Sequence, residues 1–165
     1  MAHPGRPLKC DPKVDNLRSN IQQEDYATAK ATLNEFGVDA IDGDGRTVLI
    51  NAVIEAKEDF IDWLFQSDAN INHQDRIGYS ALHFIAQNNQ FNLGEKFLSK
   101  GANPNIQDIH GNTPLWTAIF ESKKEFNVVK LLLKYGADPN VLNKYGKTPS
   151  DLFKTIYRSS ITNLT

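Results

Sequence analysis

Cysteine is almost missing from this chain: Cys10 stands alone among 165 residues, so neither an intrachain disulfide nor a thiolate metal cluster can form. That fits a reducing compartment, and a cytoplasmic location is the expectation. Long apolar runs are missing too. None approaches the roughly 18 residues of a membrane helix, and the N-terminus has no signal-peptide core. An excess of one charge is also absent. With 18 Lys+Arg against 20 Asp+Glu the formal net charge is −2, which gives no general pull toward nucleic acid or an anionic membrane. Metal and cofactor signatures fail in turn. No histidine pair has the i, i+3 or i, i+4 spacing of a helical zinc site, with His3 in the Pro-punctuated start and His73 and His110 in loops. The "DGDG" from Asp42 hints at a calcium loop, but Val53 occupies the twelfth position, where a glutamate is required. Nor does it form a phosphate cradle, since the lysine of that motif is missing. No catalytic residue, metal or cofactor is predicted.

What the chain does contain is a repeat. Gly45, Gly78, Gly111 and Gly146 stand 33, 33 and 35 residues apart by number, within "DGDGRTVLI", "DRIGYSALH", "DIHGNTPLW" and "NKYGKTPSD". A second series, "FGVDAI", "SDANIN", "KGANPN" and "YGADPN", marks the far end of each unit. Both series share one period, so each phrase is a structural unit before it is a site. The two extra residues of the third unit fall in "FESKKEFN", which predicts a longer turn there.

Each unit reads as turn, short helix, turn, longer helix, loop. Thr47, Ser80, Thr113 and Thr148 stand at N-cap positions, and Pro114 and Pro149 follow where no N–H is needed. Leu82, Ile85 and Ala86, like Leu115, Ala118 and Ile119, make one apolar face by their i, i+3, i+4 spacing. Gly101 and Gly136 are placed to end the second helix in a left-handed conformation. Asp68 takes that position in the first unit, at some cost.

These residues resemble the ankyrin repeat family, whose D-x-x-G-x-T-P-L-H turn, hydrophobic helix pair and G-A-D-x-N loop are matched in pieces from Asp42 to Asp151. Val48 and Ala81 replace the motif proline, Ile50 and Trp116 the motif histidine, Ile41 the loop asparagine of the first unit, and Ser150 the motif leucine of the last. The resemblance implies an all-α solenoid of stacked helix-turn-helix units with β-hairpin-like loops. Residues 1–13 are then a flexible start, 14–41 an N-terminal capping helix pair, 42–74, 75–107 and 108–142 inner repeats, and 143–165 the C-terminal cap. His83 fits the motif histidine, which serves structure rather than catalysis, and Trp116 at the same position is expected to pack.

The family binds other proteins through the turn tips and the exposed side of the first helices. Carried over by position, the candidate contacts in the tips are Arg46; Arg76, Ile77 and Tyr79; Ile109, His110 and Asn112; and Lys144, Tyr145 and Lys147. Phe120 joins them on a helix, beside Glu55, Gln87, Asn88 and Glu121. Aromatic and arginine side chains are common interface anchors. The implied function is a non-enzymatic protein-binding module, monomeric when free, whose partner has an acidic face and is neither nucleic acid nor membrane. The resemblance extends to small stand-alone ankyrin proteins that neutralise a toxic enzyme as immunity proteins or inhibitors. An adaptor or scaffold subunit, or an enzyme with an unrecognised site, are the alternatives.

Overall fold

The computed structural model describes residues 10–164. His3 and most of the expected flexible start lie outside the described residues. Helix begins within that start: Asp11 caps α1 (Pro12–Asp15) by accepting the Lys13 N–H at 2.9 Å, and Lys13 Nζ pairs with Glu35 at 2.7 Å. After it come α2 (Leu17–Gln22), α3 (Tyr26–Phe36), α4 (Val48–Ile54), α5 (Glu58–Gln66), α6 (Ala81–Gln87), α7 (Phe91–Ser99), α8 (Pro114–Glu121), α9 (Asn127–Lys134) and α10 (Pro149–Tyr157). A 3-10 turn, Ile161–Leu164, follows. Among the described residues, β pairing is limited to one isolated antiparallel bridge between Ile41 and Thr47. The fold is an all-α helix-turn-helix repeat.

The chain forms two compact units divided between Ile77 and Gly78. In the first, Leu17, Ile21, Leu49, Ile50, Phe60, Ile61 and Leu64 make the core. In the second, Leu82, Ile85, Phe97, Leu115, Ile119, Leu132 and Phe153 do so. Burial of such side chains contributes on the order of 1.5–3 kcal/mol each, whereas helices of seven to nine residues are too short to persist alone. Packing between neighbouring helix pairs therefore makes the helices.

An acidic or amide side chain builds each hairpin turn. Asp108 Oδ1 accepts the N–H groups of His110 and Asn112, both at 2.8 Å, while the Asp108 N–H donates to the Asn112 carbonyl at 2.9 Å. Asn143 repeats this with the N–H groups of Tyr145 and Lys147, each at 3.0 Å. Asp42 accepts from Asp44, Arg46 and the Asn51 amide, so "DGDG" is an aspartate-capped turn whose carboxylate oxygens are already engaged. Neighbouring turns then meet: a Cβ on Gly78 would lie 2.8 Å from Asp108 Cα, and one on Gly111 would lie 2.9 Å from the Lys144 nitrogen. With φ of +78° and +80°, these two positions need glycine for conformation and for space.

Helix exits follow the sequence. Asp68, Gly101 and Gly136 all have positive φ, of 56°, 86° and 85°. The next N–H, of Ala69, Ala102 and Ala137, returns to Leu64, Phe97 and Leu132 respectively, which is the Schellman closure. The insertion lies in a turn, as its spacing predicts: Lys123 and Lys124 have φ of 45° and 75°, and the Glu125 N–H closes on the Ser122 carbonyl at 2.6 Å.

One N-cap expectation is corrected. Thr113 and Thr148 accept the N–H of Trp116 and Asp151 at 3.4 and 3.1 Å, but Thr47 makes no side-chain cap and its buried hydroxyl has no partner. The chain is extended at Thr47, with ψ of 163°, so the residue marks the helix start by conformation rather than by capping.

Candidate interaction site

The candidate contacts divide between the two units. In the first, Arg46 is anchored within the hairpins: its guanidinium lies 3.3 Å from Asp44 and 3.4 Å from Asp75, whose side chain is 2% exposed. Arg76 lies across the preceding tip, with Nη1 donating to the Gly43 carbonyl at 3.3 Å and its stem against Gly45. His73 donates through Nε2 to the Gly45 carbonyl at 2.8 Å. Glu55 pairs with Arg18 at 2.7 Å. Ile77, by contrast, is exposed. These charged groups brace turns, and sequence could not show it because their partners come from the adjoining repeat.

In the second unit Tyr79 stacks on His83 with centroids 4.8 Å apart and meets Phe84 edge-on. His83 is fully buried. Its Nδ1 faces the Ser80 N–H at 3.0 Å, so that nitrogen accepts; Nε2 then carries the proton and donates to the Asn112 carbonyl at 3.2 Å. Burial, opposed by this carbonyl and by Asp108, pushes its pKa down to about 4. A neutral, immobile ring that ties α6 to the next hairpin is a structural post, as the motif position implies.

Further along, Asn112 accepts from the Asn143 amide at 2.9 Å and is committed to its turn. His110 Nδ1 lies 3.3 Å from the Tyr145 hydroxyl, with the rings near parallel. Tyr145 itself is 69% exposed. Ile109, Lys144 and Lys147 are exposed at the tips. Among the described residues no group of three or more His, Cys, Asp or Glu is placed to hold a metal ion.

A shallow groove of about 210 Å³ runs along α6 and α8, lined by Tyr79, Gln87, Asn112, Trp116, Thr117, Phe120 and Glu121. Helical spacing makes it: Trp116 and Phe120, and Thr117 and Glu121, are i, i+4 pairs on adjacent ridges of α8. Phe120 is 64% exposed and Trp116 half-buried. Of these residues the sequence reading named Tyr79, Gln87, Asn112, Phe120 and Glu121 as candidate contacts, gave Trp116 a packing role and did not single out Thr117.

Comparison with known proteins agrees with this geometry. The family model described as ankyrin repeats, three copies, matches residues 20–108 and again 82–152. Human neurogenic locus notch homolog protein 1 is 38% identical over 81 residues, which is 49% of this chain and 3% of that protein. An ankyrin repeat protein of Acanthamoeba polyphaga mimivirus is 48% identical over 52 residues, 31% of this chain and 13% of its own length. One from Borreliella burgdorferi is 28% identical over 105 residues, 62% of this chain and 25% of its own length. The chain belongs to the ankyrin repeat family and is a protein-binding module. It spans a quarter or less of the length of these relatives. No described helix is long and apolar enough to cross a membrane.

Proposed function

We propose that the chain binds another protein through the α6–α8 groove of its second unit, with the 143–147 hairpin as one rim. The observation that carries this is Phe120: a phenyl ring 64% exposed, beside Trp116 and Tyr79, which the core does not use. Exposed aromatic clusters of this kind mark contact sites. The mechanism is rigid presentation, because the hairpin hydrogen bonds hold the tips before binding and little ordering entropy is lost on association. Lys144 and Lys147 suit an acidic strip on the partner's edge, where rim charges raise association rate more than they hold. Arg46 and Arg76 act as turn braces, so their loss lowers the melting temperature before it lowers affinity.

The test is an affinity measurement against a partner purified with the tagged protein. Phe120→Ala is expected to lose on the order of 2 kcal/mol, Tyr79→Ala and Tyr145→Ala less, and Lys130→Ala, on the exposed side of α9, nothing. Loss at Lys130 with Phe120 neutral would refute the site. The finer role, neutralisation of a toxic enzyme by a cytoplasmic, non-enzymatic monomer, rests on the resemblance to stand-alone ankyrin proteins. Assay of the partner's activity with and without the chain separates inhibition from scaffolding: an inhibitor suppresses turnover at stoichiometric ratio, and a scaffold leaves it unchanged.

A further inference from the structure

We propose that the α6–α8 groove receives an arginine side chain of the partner, held between the Phe120 and Trp116 rings and the Glu121 carboxylate. This rests on the reading of the groove as the binding site and adds the chemistry it selects. Glu121 is the one charged group among the groove residues. Among the described residues no hydrogen bond or ion pair engages its carboxylate, and neither Lys123 nor Lys124, two and three residues on, pairs with it. Its near neighbour Glu125, by contrast, accepts from the Asn89 amide at 3.2 Å.

Position sharpens the point. Glu121 is the last residue of α8, where the unpaired carbonyls of the final turn already concentrate negative potential, so a carboxylate there is locally unfavourable and a cation relieves both. Phe120 and Trp116 stack on no other ring among the described residues, and open ring faces attract cations. A planar guanidinium meets all three demands better than an ammonium does. It stacks flat on a ring, forks onto a carboxylate, and sheds water more readily than an ammonium. Gln87 and Asn112 add polar edges without charge.

A displayed library of random peptides selected on the intact protein, with counter-selection on Phe120→Ala, tests this. The expected result is peptides that share one arginine, whose replacement by citrulline lowers affinity about tenfold or more. Glu121→Gln should cost the arginine peptides a similar factor and the citrulline peptides none. Glu121→Arg paired with an aspartate peptide should restore binding. Peptides that depend on Phe120 but carry no shared arginine, or lose nothing with citrulline, overturn this proposal and leave the groove as a binding site. A library whose binders are all removed by the counter-selection, so that none depends on Phe120, overturns both readings. Unchanged circular dichroism of each variant establishes that the losses are not unfolding.

Discussion

Glycine at the hairpin tips shows how one residue type serves different needs. Gly78 and Gly146 share a left-handed conformation, with φ of +78° and +67°, but a Cβ at Gly78 would strike the backbone of Asp108 and Ile109, whereas at Gly146 it meets nothing within 4 Å among the described residues. Gly146→Ala is therefore expected to cost about 1 kcal/mol, the conformational strain alone. Gly78→Ala should cost about 3 kcal/mol or more, because rigid backbone must also move. Chemical denaturation of the two variants checks the difference, and equal losses would show that the tips do not press on one another. The glycine series was fully legible in the sequence, since period and residue type coincide. What distinguishes its members was not, because contact with the next turn depends on which residue faces it. The same limit applies to Arg46, which reads as an exposed cation and is held by Asp75, 29 residues on.

Among the elements, the α8–α9 turn differs from its counterparts. The α4–α5 and α6–α7 turns each carry a left-handed residue, Ala56 and Asn89, whereas α8–α9 carries the consecutive pair Lys123 and Lys124. Two successive positive φ values closed by a 2.6 Å bond from Glu125 N–H to the Ser122 carbonyl define a type I′ turn, for which Asn-Gly is preferred. Lys123→Asn with Lys124→Gly is expected to raise stability by about 1 kcal/mol, read as a higher denaturation midpoint with helix content unchanged. A lower midpoint would mean that the lysine side chains themselves secure the turn. The insertion was visible in the sequence as a break in period, and its place outside the helices followed from the apolar spacing on either side. The groove was only half legible. Phe120 declares itself by standing outside the apolar face, but Trp116 hides in a motif position, and its partial exposure comes from packing that no local pattern encodes.

For the whole molecule, pH is expected to act unequally on the two units. His83, in the second, has a folded pKa of about 4 against an ordinary 6.5, so the unfolded chain binds more protons between those values. Stability from this group is then complete above about pH 6.5, falls as pH drops, and levels off below about 4, with a total loss of about 3 kcal/mol. Ile50 occupies the equivalent place in the first unit and cannot titrate. The exposed carboxylates with lowered pKa lose their contribution further down, Glu24, held by Lys57, only below about 4.5, and Asp25, held by Thr28, and Asp151, held by Thr148, only below about 3.8, so the windows overlap only at their acid end. The chain has two tryptophans, Trp63 in the first unit and Trp116 in the second, and each can report its own surroundings. Urea midpoints followed by Trp116 fluorescence should fall between pH 7 and 4.5, and His83→Ile should flatten that slope. A slope that survives the substitution would assign the titration elsewhere.

The bare surface at Gly146 has a constructive consequence. At Gly111, the same left-handed glycine receives the backbone of Asn143 and Lys144, and Gly146 shares that conformation with nothing against it among the described residues. The design is modular in the engineer's sense: a grafted unit that opens with an aspartate or asparagine turn meets a glycine of the conformation it needs, and what the graft has to replace is the Ile161–Leu164 turn with its buried Ile161.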